Sequence, residues 1–547
     1  MESDIDVQVT ERRSGGYLPT VWDLKFIDSF STSHTYDSDG GRLEELKQAA
    51  RCLFTSVNGP DEKLDMIDKM QRLDISKYFH KEINEFLTHL NPNAATDLFT
   101  LALRFRILRQ HGFFVTPDVF KKFMDSDGKF KENLSEDVRG LLSLYEASYL
   151  NLGLHGEDDV LEEANTFTTK HLKLATENLE DKDLAQQIKE SLEVPLYRRL
   201  PRMEARNFIN IYQRDGNNST VLLELAKLDF NLLQSVYLQE LKELAQWWAG
   251  LKMKEKVPFA RDRMVECYFW AMGSVPDPKF YKCRRNLTKY GSLATVLDDV
   301  YDIYGSMDEL IKYTTAVERW DVEAIEDLPE YMRVCYKAMH DHVNEMVEDA
   351  LNAHGLNILP YIKDQWVCYV QSLHTEAEWY YGGYMPTLDQ HLQNSWISIG
   401  IAVGLAFVFL ALLEDSGSLH HSQWQFFDHW SDSDLFYLPS LITRLLDDLT
   451  TSKVEMERGE ITNSIQCYMI QEGVSEEEAS DHIKGLINDS WKQLNKLVVD
   501  PSLPTGFAKF ALLMTRCVQR MYQFGDWFGI QSTANRDCVS SSLFNRI

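Results

Sequence analysis

The sequence predicts an all-α protein of two helical domains, on three observations. Apolar residues recur every three or four positions through TDLFTLALRFRILRQHG, VLLELAKLDFNLLQSVYLQELKELAQWWAG and HIKGLINDSWKQLNKLV, the period that gathers them on one helix face. Alternating strand patterns are scarce, and Gly and Pro fall between the helical runs, as in HGFFVTPDVF, SVPDPKF and YGGYMPTLDQ, where they end helices and open turns. A chain of 547 residues is too long for one ordinary core and suits two.

The boundary is expected in the polar, Gly/Asn-rich RDGNNST (214–220). This gives an N-terminal helical domain over 1–215 and a C-terminal helical domain over 216–547. The segment ISIGIAVGLAFVFLALL (397–413) has 17 residues without a charge, is short for a bilayer and lacks a basic flank. It reads as a buried helix, not a membrane span. A break is expected near Ser398 and Gly400, because Gly weakens a helix and Ser can bond its own backbone, leaving freed carbonyls.

Composition narrows the function. With 84 acidic against 56 basic side chains, the charge of −28 repels nucleic acid and anionic membranes, so an anionic substrate needs a local Arg cluster or metal ions. The eight cysteines lie far apart without metal-ligand spacing and read as free thiols of a reducing compartment. MESDIDVQVTERRSGGY has neither an apolar secretory core nor the character of a transit peptide, which places the chain as written in the cytosol; a plastid location is the alternative if a leader has been trimmed.

Two acidic motifs carry the chemistry. In LATVLDDVYDIYG, Asp298 and Asp302 are four apart and share a helix face, while Asp299 looks aside. Crowded carboxylates call for a cation, and hard oxygen ligands suit Mg²⁺, which keeps waters and bridges to substrate phosphates. In LITRLLDDLTTSKVEMERGE, Asp447, Thr451 and Glu455 are spaced by four and four, an oxygen ladder along one helix. Arg444 stands three residues before Asp447, where its guanidinium can reach phosphate, and Asp448, Lys453, Glu457 and Arg458 suggest a partly wet helix. Upstream, Arg261 and Arg263 would hold a leaving diphosphate, and Trp270, seven residues after Arg263, would offer a π-face to a cation.

The order Arg-x-Arg, DDxxD, DDxxTxxxE, preceded by Arg12-Arg13 and Trp22, resembles the plant terpene synthases of the monoterpene-type angiosperm subfamily, from RRSGGYLPTVWD through LLSLYEASYL, FARDR and ERWD to YQFGDWFG. The resemblance implies an N-terminal α-barrel-like domain and a C-terminal helical bundle holding the active site. It implies two Mg²⁺ on Asp298 and Asp302 and a third on Asp447, Thr451 and Glu455, with Mn²⁺ as a substitute. Arg261, Arg263 and Arg444 match diphosphate contacts, Trp270 matches a pocket aromatic, and Asp526 is retained in the closing loop. Arg12 and Arg13 match a pair that clamps the N-terminal strand over the site and accompanies isomerisation of geranyl diphosphate; a surface tether is the alternative.

Some positions depart from the family pattern. Phe524 stands where His is usual and Trp527 where Gly is usual, so that Trp527 either hinders loop closure or narrows the cavity mouth; Gly16 replaces Asn, and Asp447 replaces the commoner Asn. Asp158 and Asp159 match a structural stretch, Arg198, Arg199 and Arg202 read as a surface patch, and the absence of DxDD argues against protonation-initiated cyclisation. The expected activity is Mg²⁺-dependent ionisation of geranyl diphosphate to a monoterpene hydrocarbon or alcohol by a monomer, with farnesyl diphosphate as the rival substrate and a non-catalytic helical binding protein as the reading from another class.

Overall fold

The computed structural model describes residues 12–154, 156–177, 179–416, 427–458 and 462–547. The leader reading of residues 1–11, and the side chains of Asp158 and Arg458, lie outside the described residues. Helices carry the chain as the periodicity predicts. Among the described residues no strand forms, and the only β contacts are isolated bridges, Met124–Phe130 and Gln523–Gly525.

Two hydrophobic cores organise the helices. One joins Ile67, Leu101, Ile107 and Leu144 to Ile442, Trp491 and Leu494 from far later in the chain. The other surrounds the cavity described below with Phe269, Leu287, Leu297, Trp366, Leu405 and Ala511. The helix Thr220–Leu251 feeds both, giving Leu222 and Leu225 to the first and Leu241 and Leu244 to the second. The RDGNNST segment is a mostly exposed, hydrogen-bonded turn. Asn218 Nδ2 donates to the Asp215 carbonyl at 2.7 Å, and Ser219 caps the helix that follows.

The segment 397–413 lies in the second core, with Ala402, Leu405 and Ala406 fully buried. Its helix is broken as expected: Leu388–Ser398 ends, Gly400 takes φ +79°, and Ile401–Ser416 leaves at an angle of 42°. Among the described residues no single helix is long and apolar enough to cross a membrane, although this bent pair passes by length and composition. The freed carbonyl of Gly400 is not left to a cation, because the Tyr290 hydroxyl donates to it at 2.6 Å.

The expected Arg patch is corrected. Arg202 is buried and donates to the Ser542 carbonyl at 2.9 and 3.0 Å, Arg199 pairs with Glu204 at 2.6 Å, and Arg198 lies over the Trp491 ring. Arg202 and Arg198 tie early residues to late ones, while Arg199 holds its own neighbourhood; charge alone marked them as surface. Glu157, beside the Asp158 and Asp159 pair, is likewise structural and pairs with buried Arg109 at 2.6 Å. All eight cysteines are free, and six are buried.

Candidate active site

A cavity of about 490 Å³ opens in the second core, lined by Trp270, Tyr290, Tyr301 and Tyr369 below and by charged side chains nearer its mouth. Asp298, Asp302, Asp447, Thr451, Glu455, Arg261, Arg444, Trp270 and Asp526 all border it. Helices more than a hundred residues apart in sequence thus bring the two acidic motifs to one space.

The first motif sits where the helix Tyr281–Asp299 passes into a π-turn, Val300–Tyr304. Such wide turns mark functional sites, and this one carries Asp302 on a different helical pitch from Asp298. Asp299 does not look aside into solvent. It is fully buried, accepts the Arg261 backbone N–H at 2.6 Å, and lies 3.0 Å from Arg261 Nε. Arg261 also pairs with Asp298. Burial raises the Asp299 carboxyl, Arg261 opposes the rise, and Asp298 adds to it.

The second motif lies on the helix Asp434–Arg458. Burial raises the Asp447 carboxyl well above the ordinary range, Arg444 opposes it, and neighbouring Glu455, Asp526 and Asp448 add to the rise. Arg444 Nη1 reaches Asp447 at 3.2 Å and Asp448 at 3.3 Å. Asp448, expected on a wet face, is buried against His391 Nε2 at 3.1 Å and the Ser464 amide at 2.9 Å. Burial pushes its carboxyl up, but His391, Arg444 and Ser464 bring it to about 2. The Thr451 hydroxyl donates to the Asp447 carbonyl, and Glu455 accepts from Asn463 Nδ2 at 2.9 Å.

Of the three arginines expected at the diphosphate, Arg263 is the one the cavity does not receive. Its buried guanidinium turns away and donates to the Phe528 carbonyl at 2.7 Å and, more loosely, to the Leu18 carbonyl at 3.4 Å. It ties the N-terminal segment to the closing loop. The reason is local: alternate residues diverge as the chain turns into the helix Met264–Ser274, so Arg261 enters the cavity and Arg263 leaves it.

The N-terminal segment crosses the mouth without pairing as a strand. Gly15 to Leu18 line the cavity, and Tyr17 lies 4.9 Å from the Arg261 guanidinium. A Cβ at Gly15 would meet the Tyr17 ring at 2.3 Å and Ile303 at 2.9 Å, so glycine is required for this approach, while Gly16 takes φ +62°. Arg12 donates to both Glu309 oxygens at 2.8 Å and to the Tyr304 carbonyl at 2.9 Å, and Arg13 lies over Tyr380 at 4.2 Å. Burial pushes the Glu309 carboxyl up, but Arg12, the Ser306 amide and Tyr331 hold it at about 2. Trp22 is buried, its Nε1 donating to Glu266 at 3.2 Å. Trp527, expected to crowd the mouth or hinder closure, points instead into the core, 1% exposed and 4.9 Å from the Phe269 ring. Phe524 is 48% exposed beneath the Arg520 guanidinium.

Sequence reasoning missed Glu376, which lines the cavity and accepts from the Ser398 hydroxyl at 2.6 Å. Its signal was a carboxylate on the inward stripe Tyr369, Leu373, Glu376, Tyr380 of the helix Leu359–Gly382.

The chemistry of the donor set fits divalent cations. Glu455 and Asp526 both add to the rise of the half-buried Asp447 carboxyl, the signature of acidic oxygens gathered around one space. Among the described residues no three His, Cys, Asp or Glu side chains close a metal shell by themselves. That suits an ion such as Mg²⁺, which takes one or two carboxylates and completes its shell with water and phosphate oxygens.

The chain matches the family model "Terpene synthase family, metal binding domain" over residues 249–493 and "Terpene synthase, N-terminal domain" over residues 21–192. A probable terpene synthase 9 of Ricinus communis is 47% identical over 97% of this chain and 90% of its own length. A chloroplastic trans-ocimene synthase of Litsea cubeba is 44% identical over 97% of this chain and 90% of its own. Among solved structures, limonene synthase with 2-fluorolinalyl diphosphate superposes with a TM-score of 0.92 at 36% identity, covering 98% of this chain and 100% of that one. Isoprene synthase from grey poplar, in complex with three Mg²⁺ ions and dimethylallyl-S-thiolodiphosphate, gives 0.87 at 36% identity over 96% and 99%.

Proposed function

The chain belongs to the terpene synthase family, and from that premise we propose that it ionises geranyl diphosphate and converts the resulting cation to a monoterpene hydrocarbon or alcohol. The observation that carries this reading is one cavity bordered by both acidic motifs, by Arg261 and Arg444, and by an aromatic floor. Membership of an enzyme family displaces the non-catalytic scaffold. The division near residue 215 belongs to the proposal, with the N-terminal part supporting and covering a catalytic C-terminal part.

Asp298 and Asp302 on one wall, and Asp447, Thr451 and Glu455 on another, would hold the metal, three Mg²⁺ or Mn²⁺ in its place. Bound metal offsets the charge that develops on diphosphate as the carbon–oxygen bond breaks. Arg261 and Arg444 would donate to the same phosphate oxygens, and both are pre-positioned by buried carboxylates, Asp299 and Asp448. Trp270 and the tyrosines would face the allylic cation with their rings. The segment 15–18, clamped through Arg12 and Glu309, would keep water out of the cavity.

Cytosolic residence finds no support among the relatives, several of which are named chloroplastic. We therefore place the enzyme in plastids, where it acts as a monomer. Gas chromatography of products from geranyl and farnesyl diphosphate, each supplied with Mg²⁺, tests the reaction. The reading fails if neither diphosphate is consumed, and a much larger kcat/KM for farnesyl diphosphate replaces it with the fifteen-carbon reaction. Light scattering on the eluting protein tests the monomer.

A further inference from the structure

Trp270 forms part of the cavity wall, yet nothing polar fixes it there. Its indole Nε1 is buried and makes no hydrogen bond, so packing alone sets how far the ring projects. Two glycines touch the rim of its six-membered ring. At Gly291, on the helix Tyr281–Asp299, an added Cβ would stand 3.6 Å from Trp270 Cζ3 and 3.3 Å from Cys267 Sγ. At Gly404, on the helix Ile401–Ser416, an added Cβ would stand 2.7 Å from Cη2 and 3.1 Å from Cζ2, closer than atoms tolerate.

Gly404 has no other reason to be glycine. It lies inside a helix with ordinary helical backbone, unlike Gly400 at φ +79°, and a glycine in a helix interior costs stability relative to alanine. It does not border the cavity, because the indole stands between. We infer that Gly404 is a specificity-determining positioning residue: by leaving room behind Trp270 it sets the depth of the indole and hence the shape of the chamber in which the cation folds. Ordinary contact at 3.4 Å requires the ring to yield by 0.7 Å, and Leu287, 3.6 Å from the same Cβ position, leaves little slack on that side. The ring therefore moves toward the cavity, the space around it that is not already filled.

This inference rests on the proposed ionisation of geranyl diphosphate, and the test separates the two. Wild type, Gly404→Ala, Trp270→Phe and the double variant are assayed with geranyl diphosphate and Mg²⁺ for KM, kcat and product distribution, with thermal unfolding measured alongside. Failure of wild type to release diphosphate strikes the reaction itself. With wild type active, Gly404→Ala is expected to leave KM within about twofold, since Arg261 and Arg444 are untouched, while kcat falls about tenfold and the product distribution shifts. In the Trp270→Phe background, which removes the atoms that alanine meets, the same substitution is expected to change neither kcat nor products by more than about twofold. Equal effects in both backgrounds, or an unchanged product distribution in Gly404→Ala, overturn the inference. If Gly404→Ala fails to fold, folding of the double variant supports the clash with the indole, and misfolding of both overturns it.

Discussion

Glu266 joins the two segments that cover the cavity, and its substitution gives a stability prediction with a definite sign. Its Oε1 accepts from Trp22 Nε1 at 3.2 Å and from Gln531 Nε2 at 3.0 Å, while Gln531 Oε1 receives the Val21 amide at 3.2 Å. Its Oε2 is buried without a partner. Burial raises the carboxyl to about 7 from its ordinary 4.5, against the opposing pull of its own amide, Arg263, Trp22 and Gln531. A carboxyl whose folded pKa is raised favours the folded state fully below its unfolded value, and that contribution is lost as pH climbs through the folded value. Over pH 4.5 to 7 the loss amounts to about 3 kcal/mol, at 1.36 kcal/mol per pKa unit.

Glu266→Gln keeps an oxygen acceptor for Trp22 and Gln531 but cannot ionise. The measurement is urea unfolding of variant and wild type at pH 5, 6, 7 and 8. Taking the difference at each pH cancels every group the two proteins share. The variant is expected to gain on wild type steadily from pH 5 to 7, by a total of about 2 to 3 kcal/mol, and no further beyond pH 8. A difference that stays flat across the series would refute the assignment of a neutral Glu266 beneath the covering segments.

Other perturbations bear on the site directly. Asp298→Ala and Asp302→Ala are expected to abolish turnover with unfolding temperature unchanged, because each removes a cavity-facing oxygen and little core volume; activity near wild type in Asp302→Ala would remove it from the metal set. Asp299→Ala, at the acid that the spacing alone sets off the shared face, should lower kcat/KM about tenfold to hundredfold by releasing the Arg261 amide and Nε, and Asp299→Asn should recover part of it. Deleting residues 1–13 removes the Arg12–Glu309 clamp and should alter the product mixture, read by gas chromatography, more than the rate of diphosphate release. Trp527→Gly empties a buried site against Phe269 and should destabilise by about 3–5 kcal/mol while exposing the 523–530 loop to limited proteolysis.

The helical class and the composition of the site were legible because periodicity and the spacing of acids are local properties. The directions of side chains were not. The Asp298 to Asp302 spacing assumed one α-helical face, and only the structure reveals the π-turn that begins between them. Arg261 and Arg263 looked equivalent because a sequence does not show that the helix starts at Met264 and separates them. Arg198, Arg199 and Arg202 were read from charge, which is blind to acceptors such as the Ser542 carbonyl some 340 residues away. Trp527 was read from its bulk, which is blind to the core pocket beside Phe269 that accepts it.

The two Asp-Asp pairs show what such a reading lacks. In each, the first acid borders the cavity and the second is buried at 0% or 1% exposure. Each buried acid lies beside the arginine of its own wall: Asp299 takes the Arg261 amide, and Asp448 stands 3.3 Å from Arg444. Asp448 is itself fixed by His391 and the Ser464 amide. A buried carboxylate without partners is costly, so these acids are tolerated only because cation and amide donors meet them. Adjacent positions on a helix point about 100° apart, which lets one dipeptide serve both purposes, an oxygen for the cavity and an anchor for the guanidinium that shares it.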